Sequence, residues 1–469
     1  MELPPLIRTP AARRFGLIAL AVVMITAVAA SGVVYRSPYA PAMVGGVFAA
    51  TAALVACLRR PIWALYAALF VVMLPGGLLP ATVQSHLNRG LTVIALSAWL
   101  VSVLAQRRPI AWTITASFMC GFVVWGGMTL LWADNLSAGF NSIQVYTLRL
   151  VLYLVLVANQ IRTEENLDGL MRTLALSGWV LILAGLATLV LVGYSPGARF
   201  QVLDMNENQT GSVALITLPG VLWQAIRSSG QQRAIKMFLS FAFVAMALAL
   251  VALTGSRGSA ISFLITLSAF WIWRSTRPWA KLGLVLLMVA VVSMPMIFST
   301  LVARFAVEQG DTILGGREAI WQAALQLIRA DLWGGVGIGG AGYAVMPYLR
   351  VLRSVTDHES VSLHNPVLDI WAGTGLPGIL LYLGVLASAV WLFGFQYRRC
   401  WRGGVNSLSP YFALIAAVFV GYSASWVKGG GMESDFSYFL LLALLVIPSC
   451  LQLGEPVDHL GRERVAEDT

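Results

Sequence analysis

The chain has 469 residues, of which 58% are hydrophobic and only 11% charged, and its mean hydropathy is +0.78. A soluble domain carries about a quarter charged residues, so this chain has too little polar surface to cover a soluble globule. The net charge of +10 does not mark a nucleic-acid binder, because the basic residues sit in small groups between apolar runs, as orientation signals and contacts with membrane lipids do.

Apolar runs of the length that crosses a bilayer, about 17–25 residues, recur along the chain. They predict spans near 15–34, 41–57, 62–79, 91–105, 111–132, 145–159, 171–194, 211–226, 237–254, 259–273, 282–303, 376–395, 411–427 and 436–452. The fold class is therefore all-α, a polytopic membrane protein of about 12–14 transmembrane helices. The first run follows Arg8, Arg13 and Arg14 without a small-residue cleavage site, so it reads as a retained span and not a signal peptide. With the N-terminus inside, one set of loops collects Arg59/Arg60, Arg107/Arg108, Arg162, Arg172, Arg227/Arg233/Lys236, Arg274/Arg277/Lys281 and Arg398/Arg399/Arg402. The opposite short connections hold only Arg36, Arg89, Arg199, Arg257 and Lys428. This asymmetry places both termini in the cytoplasm. Trp63, Trp112, Trp132, Trp273, Trp279 and Trp426 fall near span ends, where indole rings anchor at the interface.

The expected organisation is a helical bundle over 1–303, an outer segment over 304–375, C-terminal membrane helices over 376–452 and a cytoplasmic tail over 453–469. Within the outer segment, Glu318 to Arg329 reads as an amphipathic helix with Ile320, Trp321, Ala324, Leu325 and Ile328 on its apolar face, fit to lie on the membrane surface. The run Gly334-Gly335-Val336-Gly337-Ile338-Gly339-Gly340 then ends any helix.

The outer face gathers the residues that carry chemistry. Arg199 follows the seventh span and precedes Asn206-Glu207-Asn208; Arg257 sits in Thr254-Gly255-Ser256-Arg257-Gly258-Ser259; Arg317 follows Gly315-Gly316; His364 precedes Asn365-Pro366. A guanidinium stays charged and presents a planar fork that donates to phosphate oxygens in pairs, which makes Arg199, Arg257 and Arg317 candidate ligands of a pyrophosphate. Each can instead be a headgroup contact or an orientation charge. The glycines beside Arg257 and Arg317 would let a phosphate approach the backbone, and a helix opening at Ser259 would point its amides there. Arg149, inside its span near the outer end, either joins this cluster or snorkels to the surface.

Asn365 and Pro366 form a helix start, Asn as the cap and Pro at the first helical position. His364 would stand at the mouth of that helix. Neighbouring arginines and a helix N-terminus lower an imidazole's pKa and keep it neutral, so His364 either serves as a base or only hydrogen-bonds the backbone. Asn206, Asn208 and Asn365 are accessory candidates beside these groups. Asp357-His358-Glu359 is a charged turn and not a metal site, since adjacent residues do not readily converge on one ion. The four cysteines, Cys57, Cys120, Cys400 and Cys450, all fall outside the outer loops and imply no disulfide framework. No nucleotide-binding glycine motif stands in usable context, and no metal or cofactor is called for.

Taken in order, Arg199 with Asn206-Glu207-Asn208, Thr254-Gly255-Ser256-Arg257-Gly258, Gly316-Arg317 with Trp321, Gly335-Val336-Gly337, and His364-Asn365-Pro366 leading to Gly375-Leu376-Pro377-Gly378 resemble the O-antigen ligase/polymerase superfamily. The resemblance covers roughly 199–380 and departs at Glu207, where the family more often has proline. It implies a glycosyltransferase C-type membrane fold and a glycan donor on undecaprenyl pyrophosphate, with no metal or ATP. Length and the single large outer segment look most like the ligase branch, whose acceptor is a lipid A–core oligosaccharide at the periplasmic face of the bacterial inner membrane. A polymerase or a protein O-oligosaccharyltransferase of the same superfamily shares these features. A lipid-linked-glycan flippase, the non-enzymatic alternative, would place ionisable groups at mid-membrane and not at one face. Oligomeric state is not legible in the sequence.

The charge asymmetry makes a direct prediction. A cysteine at position 311 in a cysteine-free background reacts with an impermeant maleimide in cells whose outer membrane alone is opened, and one at position 402 does not. Labelling of 311 only after the inner membrane is permeabilised would invert the topology.

Overall fold

The computed structural model describes residues 60–79, 81–107, 109–195, 198–293, 302, 317–352, 360–404, 407–426 and 436–452. The expected spans 15–34 and 41–57, the triplet Asp357-His358-Glu359 and the tail 453–469 lie outside these residues. Every other expected span coincides with a helix over its described residues, which for the span 282–303 are 282–293 and 302. In chain order they are α1 (Pro61–Val72), α2 (Ala81–Gln106), α3 (Ile114–Thr129), α4 (Leu136–Gln160), α5 (Glu164–Val192), α6 (Glu207–Ile226), α7 (Gly230–Thr254), α8 (Arg257–Ala269) and α9 (Arg277–Ser293). The outer segment adds α10 (Glu318–Ala330) and α11 (Met346–Leu352), and α12 (Pro366–Arg402), α13 (Ser409–Trp426) and α14 (Phe436–Cys450) complete the bundle. Among the described residues there is no strand, only a bridge between Val202 and Met205. A lipid environment requires this, because each helix satisfies its own backbone polar groups.

Among the described residues, six helices are long and apolar enough to cross a membrane: α2, α4, α5, α7, α12 and α13. Three shorter apolar helices, α1, α3 and α14, accompany them. α6 is the axis of the bundle. It packs against α5, α7, α8, α13 and α14, and from Val213 to Trp223 every residue is buried. A helix apolar all round is stable only when enclosed in this way. Gly211 allows the close approach of Ser259 on α8, and Gly220 that of the Met171 carbonyl on α5. Small residues at such crossings let backbones pack tightly where lipid supplies no hydrophobic drive.

The loops sort into two groups at opposite ends of the helices. At one end Arg227 pairs with Glu164 at 3.0 Å and Asp168 at 3.8 Å. There Ser407 donates to Glu164, the Gln452 amide donates to the Arg162 carbonyl, and Arg162 donates to Asn159. All of these belong to the arginine-rich connections. Arg199, Arg257, Arg317 and His364 occupy the other end.

Three expectations need correction. Helix α10 exists, but it buries Ala323, Ala324, Leu327 and Ile328 against α11, α12 and the turn before them, and Leu325 is exposed. Those four side chains are covered by protein. Trp279 and Trp426 are only 4% and 7% exposed, so they are core residues and not interfacial anchors; Trp426 stacks on Tyr438 with ring centroids 4.7 Å apart. Helix α8 opens at Arg257, not Ser259, because Ser256 caps it by accepting the Ser259 amide at 3.3 Å. That amide is therefore engaged within the protein.

The glycine run is a docking element. The Val336 amide donates to the Ala372 carbonyl, the Leu376 amide to the Leu332 carbonyl, and the Ile338 amide to the Thr129 hydroxyl. Trp132 donates to the Gly335 carbonyl at 3.1 Å. These contacts fasten the outer segment to α3 and to a kink in α12. The kink is at Gly375, with φ +66°, and a Cβ there would collide with the Trp333 carbonyl. Gly375→Ala should therefore destabilise the protein by about 2–4 kcal/mol, combining overpacking with a left-handed backbone. Gly394 lies on the same helix with nothing within 4 Å of an added Cβ, and Gly394→Ala should leave stability unchanged. Thermal unfolding of the two detergent-solubilised variants checks this: equal midpoints would mean that the kink is not held by Gly375.

Candidate functional site

The site begins at the outer end of α6. Asn206 caps that helix by accepting the Asn208 amide at 2.9 Å. Asn208 in turn accepts from the Ser256 hydroxyl at 2.7 Å, and Ser256 contacts the Ser259 hydroxyl at 2.9 Å. The α7–α8 turn that presents Arg257 is thus tied to the start of α6. Gly255 makes the reversal, with φ +61° in the left-handed region that favours glycine.

Arg199 joins the same frame from the loop after α5. The Phe200 amide donates to the Leu253 carbonyl at 3.2 Å. The Arg199 Nε donates to the Thr254 carbonyl at 3.4 Å, and its Nη2 pairs with Glu207 at 3.3 Å. Gln201 donates to the other Glu207 oxygen at 3.1 Å.

Arg317 and His364 arrive from the outer segment. Arg317 stands at the N-cap of α10. Burial lowers its pKa, and the positive charge of Arg257 lowers it further. A positive field of this kind favours the approach of an anion.

His364 has φ +50°, an uncommon conformation for a residue with a side chain. Its surroundings hold it there. The His364 amide donates to the Ser362 hydroxyl at 3.3 Å, and the Trp321 indole donates to the Leu363 carbonyl at 3.0 Å. On the other side Asn365 accepts the Val367 and Leu368 amides at 3.0 and 3.2 Å, with Pro366 at the first helical position. Strain of this kind amounts to about 1–3 kcal/mol and persists only where neighbours over-determine it, commonly at functional positions. Burial lowers the imidazole pKa below its ordinary value, and the charge of Arg317 acts in the same direction. His364 is thus neutral at pH 7 and able to accept a proton.

Arg257, Arg317 and His364 form one electrostatic chain, and Arg199 borders it through the Thr254–Arg257 turn. Arg149 is set differently: its guanidinium lies over the rings of Tyr153 and Phe439 at 5.8 and 5.9 Å, beside the seven-residue π-helical stretch Leu150–Leu156. The glycines near Arg257 serve the turn and the packing: a Cβ on Gly258 would meet Ser425 at an ordinary 3.5 Å. Sequence reasoning missed Glu207, Gln201, Ser256 and Trp321 as supports. The polar residues Gln201 and Glu207, both shortly after Arg199 in the chain, were the available signal.

Residues 241–383 match the family model described as O-antigen ligase. That stretch is similar to the O-antigen ligase/polymerase family of membrane glycan-transferring enzymes. Arg257, Arg317 and His364 fall inside the matched stretch, and Arg199 and Glu207 precede it. No curated protein matches the chain.

The coupling between Arg317 and His364 is measurable. Diethyl pyrocarbonate acylates neutral imidazole, so the pH dependence of His364 modification, read by peptide mass spectrometry, reports its pKa. Wild type should show a midpoint below about 6.5, the ordinary histidine value. Arg317→Gln should raise it toward that value, because one of the two depressing influences is gone. An unmoved midpoint would mean that the Arg317 charge does not reach the imidazole.

Proposed function

We propose that this protein is an O-antigen ligase, which moves a glycan from undecaprenyl pyrophosphate to a sugar hydroxyl of lipid A–core oligosaccharide at the periplasmic face of the bacterial inner membrane. The observation that carries the reading is the gathering of Arg199, Arg257, Arg317 and His364 at one end of the helices, Arg257 on a turn tied to the start of α6 through Ser256 and Asn208, and His364 held beside Trp321 on the helix that Arg317 caps. The family match supports the glycan-transfer chemistry, and the charge asymmetry supports the outward orientation.

The acceptor hydroxyl gives its proton to His364 while its oxygen forms a bond to the anomeric carbon. The bond from that carbon to the pyrophosphate oxygen breaks, and its electron pair leaves with undecaprenyl pyrophosphate. Attack opposite the leaving group inverts the anomeric centre. Negative charge grows on the pyrophosphate as the bond breaks, and Arg199, Arg257 and Arg317 oppose it. A fixed donor aimed at developing charge is worth about 3–4 kcal/mol in a site shielded from water. The leaving group is activated in the donor itself, so the scheme needs neither nucleotide nor metal.

The test is reconstitution of the full chain in nanodiscs with undecaprenyl-pyrophosphate-linked glycan and lipid A–core, scoring which acceptor gains sugar. Transfer to lipid A–core, unaffected by EDTA, is expected; extension of a second lipid-linked glycan instead would make the protein a polymerase. His364→Ala should lower the rate by about 10²–10⁴, as for a lost acid–base group, and His364→Gln should be equally poor. Substantial turnover by the Gln variant would end the base assignment. Arg257→Lys should recover little activity, because a point charge does not reproduce the planar fork.

A further inference from the structure

Glu207 is 5% exposed, yet nothing in the proposed reaction uses it. A carboxylate buried that deeply persists only where both oxygens are matched. One oxygen accepts from Gln201 at 3.1 Å and the other faces the Arg199 Nη2 at 3.3 Å. We infer that Glu207 is a positioning residue, whose buried carboxylate holds the Arg199 guanidinium at the lip of the pyrophosphate site. The inference rests on the pyrophosphate reading of that site.

Three features carry it. First, Arg199 has a long side chain on a loop, and its Nε contact with the Thr254 carbonyl is long at 3.4 Å. The carboxylate restricts the rotamers of that side chain, so less of its ordering is left to the incoming phosphate. Second, 32% of the Arg199 side chain remains accessible while only 7% of the Glu207 side chain does. The acid thus grips the arginine from the protein side and leaves another side toward solvent. Third, the next residue, Asn208, holds the Ser256–Arg257 turn. Adjacent residues at one helix end therefore set the spacing of two phosphate-facing arginines. A carboxylate that served only the dipole of α6 would do so equally well in solvent. The inward turn onto Gln201 and Arg199 is explained by positioning and not by the dipole.

The experiment measures binding of undecaprenyl pyrophosphate itself to the full chain in nanodiscs, for wild type, Arg199→Ala, Glu207→Gln, Glu207→Asp and the Arg199→Ala/Glu207→Gln double variant. Thermal midpoints are recorded in parallel, and affinities are scored on folded protein. Positioning predicts that Arg199→Ala and Glu207→Gln each weaken binding by about tenfold and that the double variant is no weaker than either alone, the non-additivity of residues that act as one unit. Glu207→Asp, which keeps the charge, should bind more tightly than Glu207→Gln. Wild-type affinity in Glu207→Gln alongside a loss in Arg199→Ala would overturn the inference, as would losses that multiply in the double variant. Should Glu207→Gln fail to fold, the same cycle with Glu207→Asp decides: a loss that disappears in the Arg199→Ala background supports positioning, and one that multiplies overturns it. If neither Arg199→Ala nor Arg257→Ala weakens binding, the pyrophosphate reading itself fails and takes the inference with it.

Discussion

Helix α6 is enclosed on every side by other helices, and the outer end of the molecule takes its geometry from that burial. A helix packed against five neighbours cannot tilt or slide without opening voids in all of them, and protein interiors tolerate voids poorly. Its first residues are therefore fixed points. Asn206 ends the loop from α5, Glu207 meets Arg199 at 3.3 Å, and Asn208 meets the α7–α8 turn at 2.7 Å. The polar loops of this end do not need to be rigid by themselves. They inherit rigidity from the apolar contact surface that encloses α6.

The electrostatics of the site follow from placing cations where water is partly excluded. Burial alone disfavours a charged guanidinium at Arg317, and a second guanidinium at Arg257 disfavours it further. The proposed pyrophosphate would bring negative charge into this positive field. Burial lowers the His364 pKa below its ordinary value, and the charge of Arg317 adds to it in the same direction. Arrival of an anion would offset the positive field and raise the imidazole's basicity toward its ordinary value. Donor binding would in this way strengthen the base at the moment when the acceptor hydroxyl needs one.

Much of this was legible in the sequence where the signal was local. Asn365-Pro366 announced a helix start, and the structure has the cap and the proline in those positions. The apolar runs announced the helices, since span length is a property of a single segment. What stayed hidden depended on neighbours. Trp279 and Trp426 sit near span ends, but nothing local says whether a span end faces lipid or another helix. The apolar face of α10 was read as a membrane contact because its covering partners, α11, α12 and the turn before α11, are separate in sequence. The glycine run looked like a simple helix breaker, yet its role is to let backbone approach backbone at the α12 kink. Glu207 passed as one more loop carboxylate, because its burial follows from the enclosure of α6 and not from its own surroundings in the chain.

The two halves of the site come from different parts of the architecture, and this bears on how it works. Arg199 and Arg257 are anchored to the bundle through α6 and α7. Arg317 and His364 belong to the outer segment, which is fastened to the bundle at Gly335–Ile338 on one side and at the Gly375 kink on the other. Within that segment Trp321 joins the two candidate residues, because it lies one helical turn beyond Arg317 and holds the Leu363 carbonyl beside His364. A displacement of α10 would therefore carry Arg317 and His364 together. Their mutual electrostatics would survive it, while the distance from Arg317 to Arg257 would change.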